Sequence, residues 1–466
     1  MGSGASSKHN KEVVIGQTQE PHIAIVKGSP VKDTGTTAFV KQISPAGTAA
    51  AKVVDVKEAS EAKAATPEDA CQELTAEPQY EGEKVATKGD ESSVCRTRRG
   101  CFLRYQTILK CDQFPSAQNS KLTEKLADVA NFRQVDGSKV FGVGQAGIAG
   151  HTNVMQRVLK TDGVDKVMWF NMREEPIIFV NKKPYCVKDR RCPFANQEAT
   201  GINTTIVESV EDGLVKEILE EAARFDGKIL LHGETKPPPG SEMAAFGKAY
   251  CYWETVSPES VMTMRSLANS LVSQGYPLTF HRIPITDENS PEMKDFDQIL
   301  TCLNSADAST GLVFNCQLGR GRTTTGMALA IMLQSLIDRV PKRAPDMRNQ
   351  ESGDLFVAVA KLVRMIDGAT AGKAVVDEAL DRCKHLQHLR DAIVAKRGTK
   401  HEKVGLCYLE RYIFLILFMV YVHSQTTDAS CQSLPLAGKG FENWVSNHGC
   451  KTKIFDMLDH MTLDTV

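Results

Sequence analysis

The run Cys316-Gln317-Leu318-Gly319-Arg320-Gly321-Arg322, followed by Thr323, constrains this chain more than any other feature of its sequence. It stands between an apolar run, Gly311-Leu-Val-Phe-Asn315, and a stretch with helical periodicity from Thr324 to Val340. A Cys-x5-Arg spacing alone is a weak signal. The context strengthens it: a strand, a glycine-bearing loop and a helix N-terminus turn successive backbone N–H groups inward and add the positive end of a helix dipole. That arrangement cradles an anion. A thiol in such a field ionises readily, which makes Cys316 a candidate nucleophile. The planar fork of Arg322 can grip two phosphate oxygens, as a lysine cannot. Gly319 and Gly321 permit positive φ and close backbone approach, and the backbone from Gln317 to Gly321 is the expected anion-binding surface. A buried structural cysteine at a strand end is the alternative, but it leaves two glycines, an arginine and a hydroxyl in register unexplained.

The bulk properties narrow the classes. The 466 residues carry a net charge of −1, which does not suggest a dedicated nucleic-acid binder. Thirteen cysteines, an odd number, are scattered without a paired framework, and no secretory signal opens the chain. A reducing, cytoplasmic setting is expected. Cys95/Cys101 and Cys186/Cys192 lack partners at zinc-site spacing and read as free loop thiols. No His-Glu-x-x-His, zinc cysteine pair or Asp-rich calcium loop occurs, so neither metal nor cofactor is expected. Phe141-Gly-Val-Gly-Gln-Ala-Gly147 lacks the following lysine and the wider pattern of a nucleotide loop. The apolar stretch Tyr412–Val422 is short for a bilayer span, which takes about 20 residues, and reads as a buried helix.

Residues 1–100 are rich in Ala, Lys, Glu, Ser, Thr and Gly and poor in aromatics, which predicts a disordered tail. Its start, Met1-Gly2-Ser-Gly-Ala-Ser6, fits the pattern for N-myristoylation at Gly2. One acyl chain holds a membrane only marginally, so peripheral association needs a second signal. Lys8 and Lys11, or Arg96, Arg98 and Arg99, are the basic residues available for it.

From Cys101 the pattern is globular. Strands are expected at 139–143, 167–171, 177–180, 229–232, 278–283 and 312–315. Helices are expected at 152–160, 207–224, 261–273, 295–303, 324–340, 355–366, 372–393 and 404–423. Alternating strands and helices predict an α/β fold with a mostly parallel central sheet flanked by helices. The expected division is a tail over 1–100, an α/β core over 101–341 and a helical extension over 342–466 packed on that core. Residues 342–353 are the expected internal loop.

A cysteine phosphatase also needs an acid to protonate the leaving oxygen. Asp287, in the Pro-bounded loop after His281-Arg-Ile-Pro-Ile-Thr286, is the candidate, provided its strand lies beside the one feeding the cradle. Its alternative role is a turn-capping carboxylate. The Thr323 hydroxyl is placed to hydrogen-bond the thiolate and ease its departure, or to cap the helix.

Phe314-Asn-Cys-Gln-Leu-Gly-Arg-Gly-Arg-Thr-Thr-Thr-Gly-Met327 resembles the signature loop of the paladin family, itself related to the protein-tyrosine-phosphatase-like inositol polyphosphate phosphatases, the cysteine phytases. Other blocks resemble that family in the same order: Thr107–Pro115, Asn131–Val135, Val140–Gln145, Asn171–Pro176, His281–Asp287 with Asp295–Gln298, and Leu409–Phe418. The resemblance covers residues 105 to about 425. It implies a phosphatase-fold core with Cys316 as nucleophile, Arg322 as phosphate clamp and Asp287 as general acid. It also implies that Arg173 faces the substrate, against the equally open reading of an internal ion pair with Glu174. Two features depart from the family. The chain carries one copy of a unit that paladins repeat, and Asn315 stands where most tyrosine phosphatases have His before the nucleophile.

Arg320, between the loop glycines, adds positive charge that suits a ligand with several phosphates; its alternative is to point outward. The leading expectation is therefore a cysteine-dependent phosphatase acting on an inositol polyphosphate or phosphoinositide through a phosphocysteine. The other two readings are a protein tyrosine phosphatase and a catalytically weak binding module.

Overall fold

The computed structural model describes residues 91–113, 117–236, 247–337, 356–425 and 440–466. Gly2 and the expected loop at 342–353 lie outside them, as does most of the expected tail. The end of that tail does not: Glu91–Thr97 is a helix (α1) that buries Val94 and Cys95.

Eleven strands follow among the described residues: β1 (Thr107–Cys111), β2 (Arg133–Gln134), β3 (Val140–Val143), β4 (Lys166–Arg173), β5 (Ile178–Val180), β6 (Lys183–Asp189), β7 (Lys228–Glu234), β8 (Ala249–Thr255), β9 (Val261–Thr263), β10 (Leu278–Ile285) and β11 (Thr310–Asn315). The helices up to the end of the sheet region are α2 (Ile148–Leu159), α3 (Thr204–Arg224), α4 (Met264–Ser273), α5 (Met293–Leu303) and α6 (Gly321–Ile337). The C-terminal region adds α7 (Val357–Met365), α8 (Ala369–Arg382), α9 (Leu389–Val394), α10 (Glu402–Gln425), α11 (Phe441–Asn447) and α12 (Lys451–Asp459).

The central sheet has the order β10-β4-β11-β3-β2, parallel except where short β2 runs antiparallel to β3. Its middle strands are buried on both faces, as a covered parallel sheet requires. Along β4 the side chains alternate. Met168, Phe170 and Met172 join a core with α6 and the C-terminal helices, whereas Val167 and Trp169 join one with α2.

A second sheet, β8-β7-β1-β6-β5-β9, was not foreseen as a separate layer. It is antiparallel apart from the β1–β7 pairing, so the fold is α/β with two mixed sheets.

Two expected helices differ in extent. Val261–Thr263 pairs with β5 as a strand, and Thr263 then caps α4 by accepting from Ser266 N–H. The stretch 372–393 breaks after Arg382, and His388 and Arg390 both return to Asp381 at 3.0 Å. Helix α10 is long and apolar enough to cross a membrane, yet Tyr412–Val422 is buried in the same core as Phe170 and Phe314. The C-terminal helices thus share one core with the central sheet.

The expected loop placement fails at Cys95 and Cys186, which lie buried in α1 and β6, and the expectation of an unbridged thiol fails at Cys192, which is disulfide-bonded.

Candidate active site

Register places the chemistry. Asn315 at the end of β11 lies opposite Asn171 on one side and Val143 on the other, and Ile285 at the end of β10 lies opposite Arg173. The carboxyl ends of four parallel strands therefore release Cys316, Gly144, Glu174 and Thr286 along one edge, where open α/β sheets bind ligands.

The loop leaving β11 is tied from outside. Asn131 Nδ2 donates to the Leu318 carbonyl at 2.7 Å, and Gln145 N–H donates to the Gln317 carbonyl at 2.7 Å. Gly319 has φ +72°, and a Cβ there would stand 2.6 Å from Gly144 N and Val143 O, so no other residue fits. The first helical return, Thr324 N–H to Arg320 O, is 2.8 Å. No acceptor among the described residues takes the N–H groups from Gln317 to Arg320, which leaves them for an anion.

Cys316 is buried at the floor of a cleft of about 470 Å³ shared with Asp287, Arg320, Arg322, Tyr408 and Arg411. Arg322 is fully enclosed. Its Nη1 donates to the Ile285 carbonyl at 2.9 Å and to Glu175 at 3.1 and 3.2 Å; its Nη2 meets Asp287 Oδ1 at 3.2 Å. The buried Nε has no partner among the described residues. Burial opposes the charge on Arg322, but Glu175 and Asp287 outweigh it and hold its pKa above the usual arginine value. Burial likewise pushes the Glu175 carboxyl up, and Arg322, Arg173 and Lys188 more than reverse this, so it stays well below the ordinary range.

Asp287 reaches the site by a route the sequence did not predict. Strand β10 pairs with β4, not β11, so one strand separates the strand leading to Asp287 from the one leading to Cys316. A register shift between Arg282 and Ile285 precedes the loop. Asn196 Nδ2 donates to Asp287 Oδ2 at 2.8 Å and to Gln317 Oε1 at 3.0 Å, linking the acid to the loop.

Two expected contacts take other forms. Arg173 does not line the cleft: it is buried, with its guanidinium bound by Asp112 and by Glu175 at 3.0 Å. The internal ion-pair reading therefore holds, but with Glu175 rather than Glu174. Glu174 instead accepts from Thr286 Oγ1 at 2.8 Å and Ala199 N–H at 3.2 Å. The Thr323 hydroxyl lies 3.5 Å from the Val143 carbonyl, a weak contact, and shows no bond to the thiol.

Gln317 lines the cleft while its amide bridges Asp112 and Asn196. Arg320 and Gly321 also line it. Asn315 is buried and accepts from the Trp169 indole at 2.8 Å.

Sequence reasoning missed Glu175 as the partner of Arg322, and it missed Asp112, Asn131, Asn196 and Arg411. The two adjacent acids of the Arg173-Glu174-Glu175 block, at the end of an apolar strand, were the available signal for Glu175.

The family described as PTP-like phytase, Inositol hexakisphosphate, matches residues 170–334. Paladin of Homo sapiens is 28% identical over 368 residues, which cover 73% of this chain and 38% of paladin. The chain thus spans well under half the length of that relative. Among solved structures, the PTP-like myo-inositol phosphatase from Mitsuokella multacida, in complex with myo-inositol-(1,3,4,5)-tetrakisphosphate, superposes with a TM-score of 0.47 at 15% identity, covering 75% of this chain and 48% of that one. A PTP-like phytase from Bdellovibrio bacteriovorus gives 0.43 at 16% identity, covering 73% of this chain and 95% of that one.

Proposed function

This chain is a relative of the paladins and the PTP-like phytases, and we propose that it hydrolyses phosphate monoesters of inositol polyphosphates or phosphoinositides through a phosphocysteine at Cys316. The observation that carries the reading is the convergence of Cys316, Arg322 and Asp287, from two different strand ends, on one cleft.

In the first half-reaction the Cys316 thiolate attacks phosphorus and the P–O ester bond breaks. The loop N–H groups and Arg322 stabilise the equatorial oxygens, and Asp287 in its acid form gives its proton to the departing inositol oxygen. In the second, the Asp287 carboxylate takes a proton from water as the water oxygen attacks phosphorus. The S–P bond breaks and inorganic phosphate leaves. Phosphate entering the cradle competes with Asp287 for Arg322 Nη2 and finds Nε free.

The cleft wall supports the substrate class. Arg320 and Lys396 line the cleft beyond Arg322 and supply cations for further phosphates, although Asp287, Glu288, Asp391 and the Tyr408 ring line it as well. Rapid acid quench with an inositol polyphosphate substrate tests the mechanism. The expected result is phosphate on the Cys316 peptide of wild type, formed more slowly in Asp287→Asn, which lacks the acid for the inositol leaving group. Turnover with no phosphoenzyme in either protein would remove the covalent route.

Location rests on the sequence pattern alone. We propose acylation of Gly2, with weak peripheral membrane contact from the cytoplasmic side. An unmodified intact mass for protein from eukaryotic cells would contradict it.

A further inference from the structure

Arg411 belongs to α10, nearly ninety residues beyond the nucleophile loop, yet its side chain is about 1% exposed and lines the catalytic cleft. Its Nη2 donates to the Asn289 carbonyl, in the loop that carries Asp287, and its Nη1 lies 3.4 Å from Thr325 Oγ1 in the first turn of α6. The guanidinium carbon stacks 5.1 Å from the Tyr408 ring centroid, one turn earlier on the same helix. Among the described residues no carboxylate lies within ion-pair distance of Arg411. Burial lowers its pKa, Tyr408, Asp287 and Cys316 oppose this from beyond ion-pair distance, and the three direct contacts set its place.

A second contact from α10 falls on the adjoining residue of the acid loop. Tyr408 OH donates to Glu288 Oε1 at 3.3 Å. Glu288 itself has φ +56°, a left-handed conformation that a non-glycine residue holds only when its surroundings impose it. Helix α10 therefore grips the two residues immediately after Asp287, one through its side chain and one through its carbonyl.

We propose that Arg411, assisted by Tyr408, is a positioning residue for Asp287, and that the C-terminal helical region holds the acid loop in its proton-donating pose. The proposal rests on the reading of Asp287 as general acid. Both Nη groups of Arg411 are engaged by protein, while its buried Nε has no partner among the described residues; the contacts of Nη2 and of Tyr408 with the acid loop are what make it a positioning residue. Loss of Arg411 then removes what Asp287 contributes and leaves the attack of Cys316 in place. Proton donation matters when the leaving oxygen is a poor leaving group, such as an inositol alkoxide. It matters little for nitrophenolate, which departs without help.

The test compares kcat on inositol hexakisphosphate and on p-nitrophenyl phosphate for wild type, Asp287→Asn, Arg411→Met, Arg411→Lys, Tyr408→Phe and the Asp287→Asn/Arg411→Met double variant, each with a thermal melt. Arg411→Met is expected to lose at least about tenfold on the inositol substrate while staying within about twofold on the aryl substrate, the pattern of lost general acid catalysis. Tyr408→Phe, which deletes one hydroxyl, should show the same selectivity at smaller size. The double variant should be no worse than Asp287→Asn alone, because the two residues act through one step. Equal losses on both substrates, or additive losses in the double variant, overturn the proposal. If Arg411→Met does not fold, Arg411→Lys and Tyr408→Phe carry the same comparison. Should Asp287→Asn itself fail to discriminate the leaving groups, the general-acid reading falls and this proposal with it. A selective Asp287→Asn beside an unselective Arg411 series sinks the proposal alone.

Discussion

The indole N–H of Trp169 donates to the side-chain oxygen of Asn315 at 2.8 Å, anchoring the residue immediately before Cys316 to the neighbouring strand. Both residues are buried, and His151 stacks on the indole with ring centroids 4.8 Å apart. The position that holds His in most tyrosine phosphatases is thus filled here by an amide held through its oxygen. Trp169→Phe removes the donor and leaves a buried acceptor unpaired, which should cost about 1–3 kcal/mol of stability. A lowered melting temperature with reduced kcat on the inositol substrate is expected; an unchanged melt would show that the bond holds nothing.

Glu175 sits between two buried arginines, Arg173 and Arg322. Glu175→Gln keeps the shape but leaves both guanidinium groups short of a counter-charge. The expected loss is about 3–5 kcal/mol of stability, the size found when one partner of a buried pair is removed. Turnover should fall together with phosphate affinity measured by calorimetry. Wild-type affinity for inorganic phosphate in this variant would show that Arg322 orients itself without Glu175.

Arg320 lines the cleft, and its Nε has no partner among the described residues. Arg320→Gly should therefore raise KM for inositol hexakisphosphate more than for an inositol monophosphate, by about tenfold, the effect of losing one charge-assisted contact. Equal changes across the series would mean that Arg320 contacts no second phosphate.

Asp295 gives a pH dependence with a defined sign. Burial pushes its carboxyl up to about 7, against the Glu292 N–H bond that lowers it. Between about 4 and 7 the folded chain keeps a proton that the unfolded chain has released, so this residue's contribution makes stability fall as pH rises through that window. Asp295→Asn removes the effect. The melting temperature of the variant relative to wild type should therefore be higher at pH 7 than at pH 5, by an amount on the order of a few kcal/mol in stability. A constant difference at the two pH values would contradict it.

The central sheet was legible because its strands are short apolar runs bounded by turn residues, and β4, β10, β11 and α6 lie where the pattern put them. The nucleophile loop was legible because its parts are contiguous. The second sheet was legible only in part: β5 and β7 were expected, whereas β1, β6, β8 and β9 were not. Lys110 and Lys188 are buried within β1 and β6, paired with Glu234 and Asn196, so those strands read as polar and exposed in a single sequence. The partners of the candidate site residues were hidden by separation: Glu175 lies 147 residues from Arg322, and Asp112 lies 205 from Gln317. Neither local propensity nor periodicity carries such pairings. Asp287 was singled out by its loop chemistry and does reach the cleft, although the strand order assumed for it was off by one strand.

The central claim is that Cys316 performs the chemistry. Phosphate release by wild type and Cys316→Ser, under reducing conditions and without added metal, tests it most directly, with inositol hexakisphosphate, short-chain phosphoinositides and a phosphotyrosine peptide as substrates. The account predicts release that vanishes with the Cys316 thiol and is fastest on a phosphorylated inositol. Equal background release by both proteins on every substrate would contradict it.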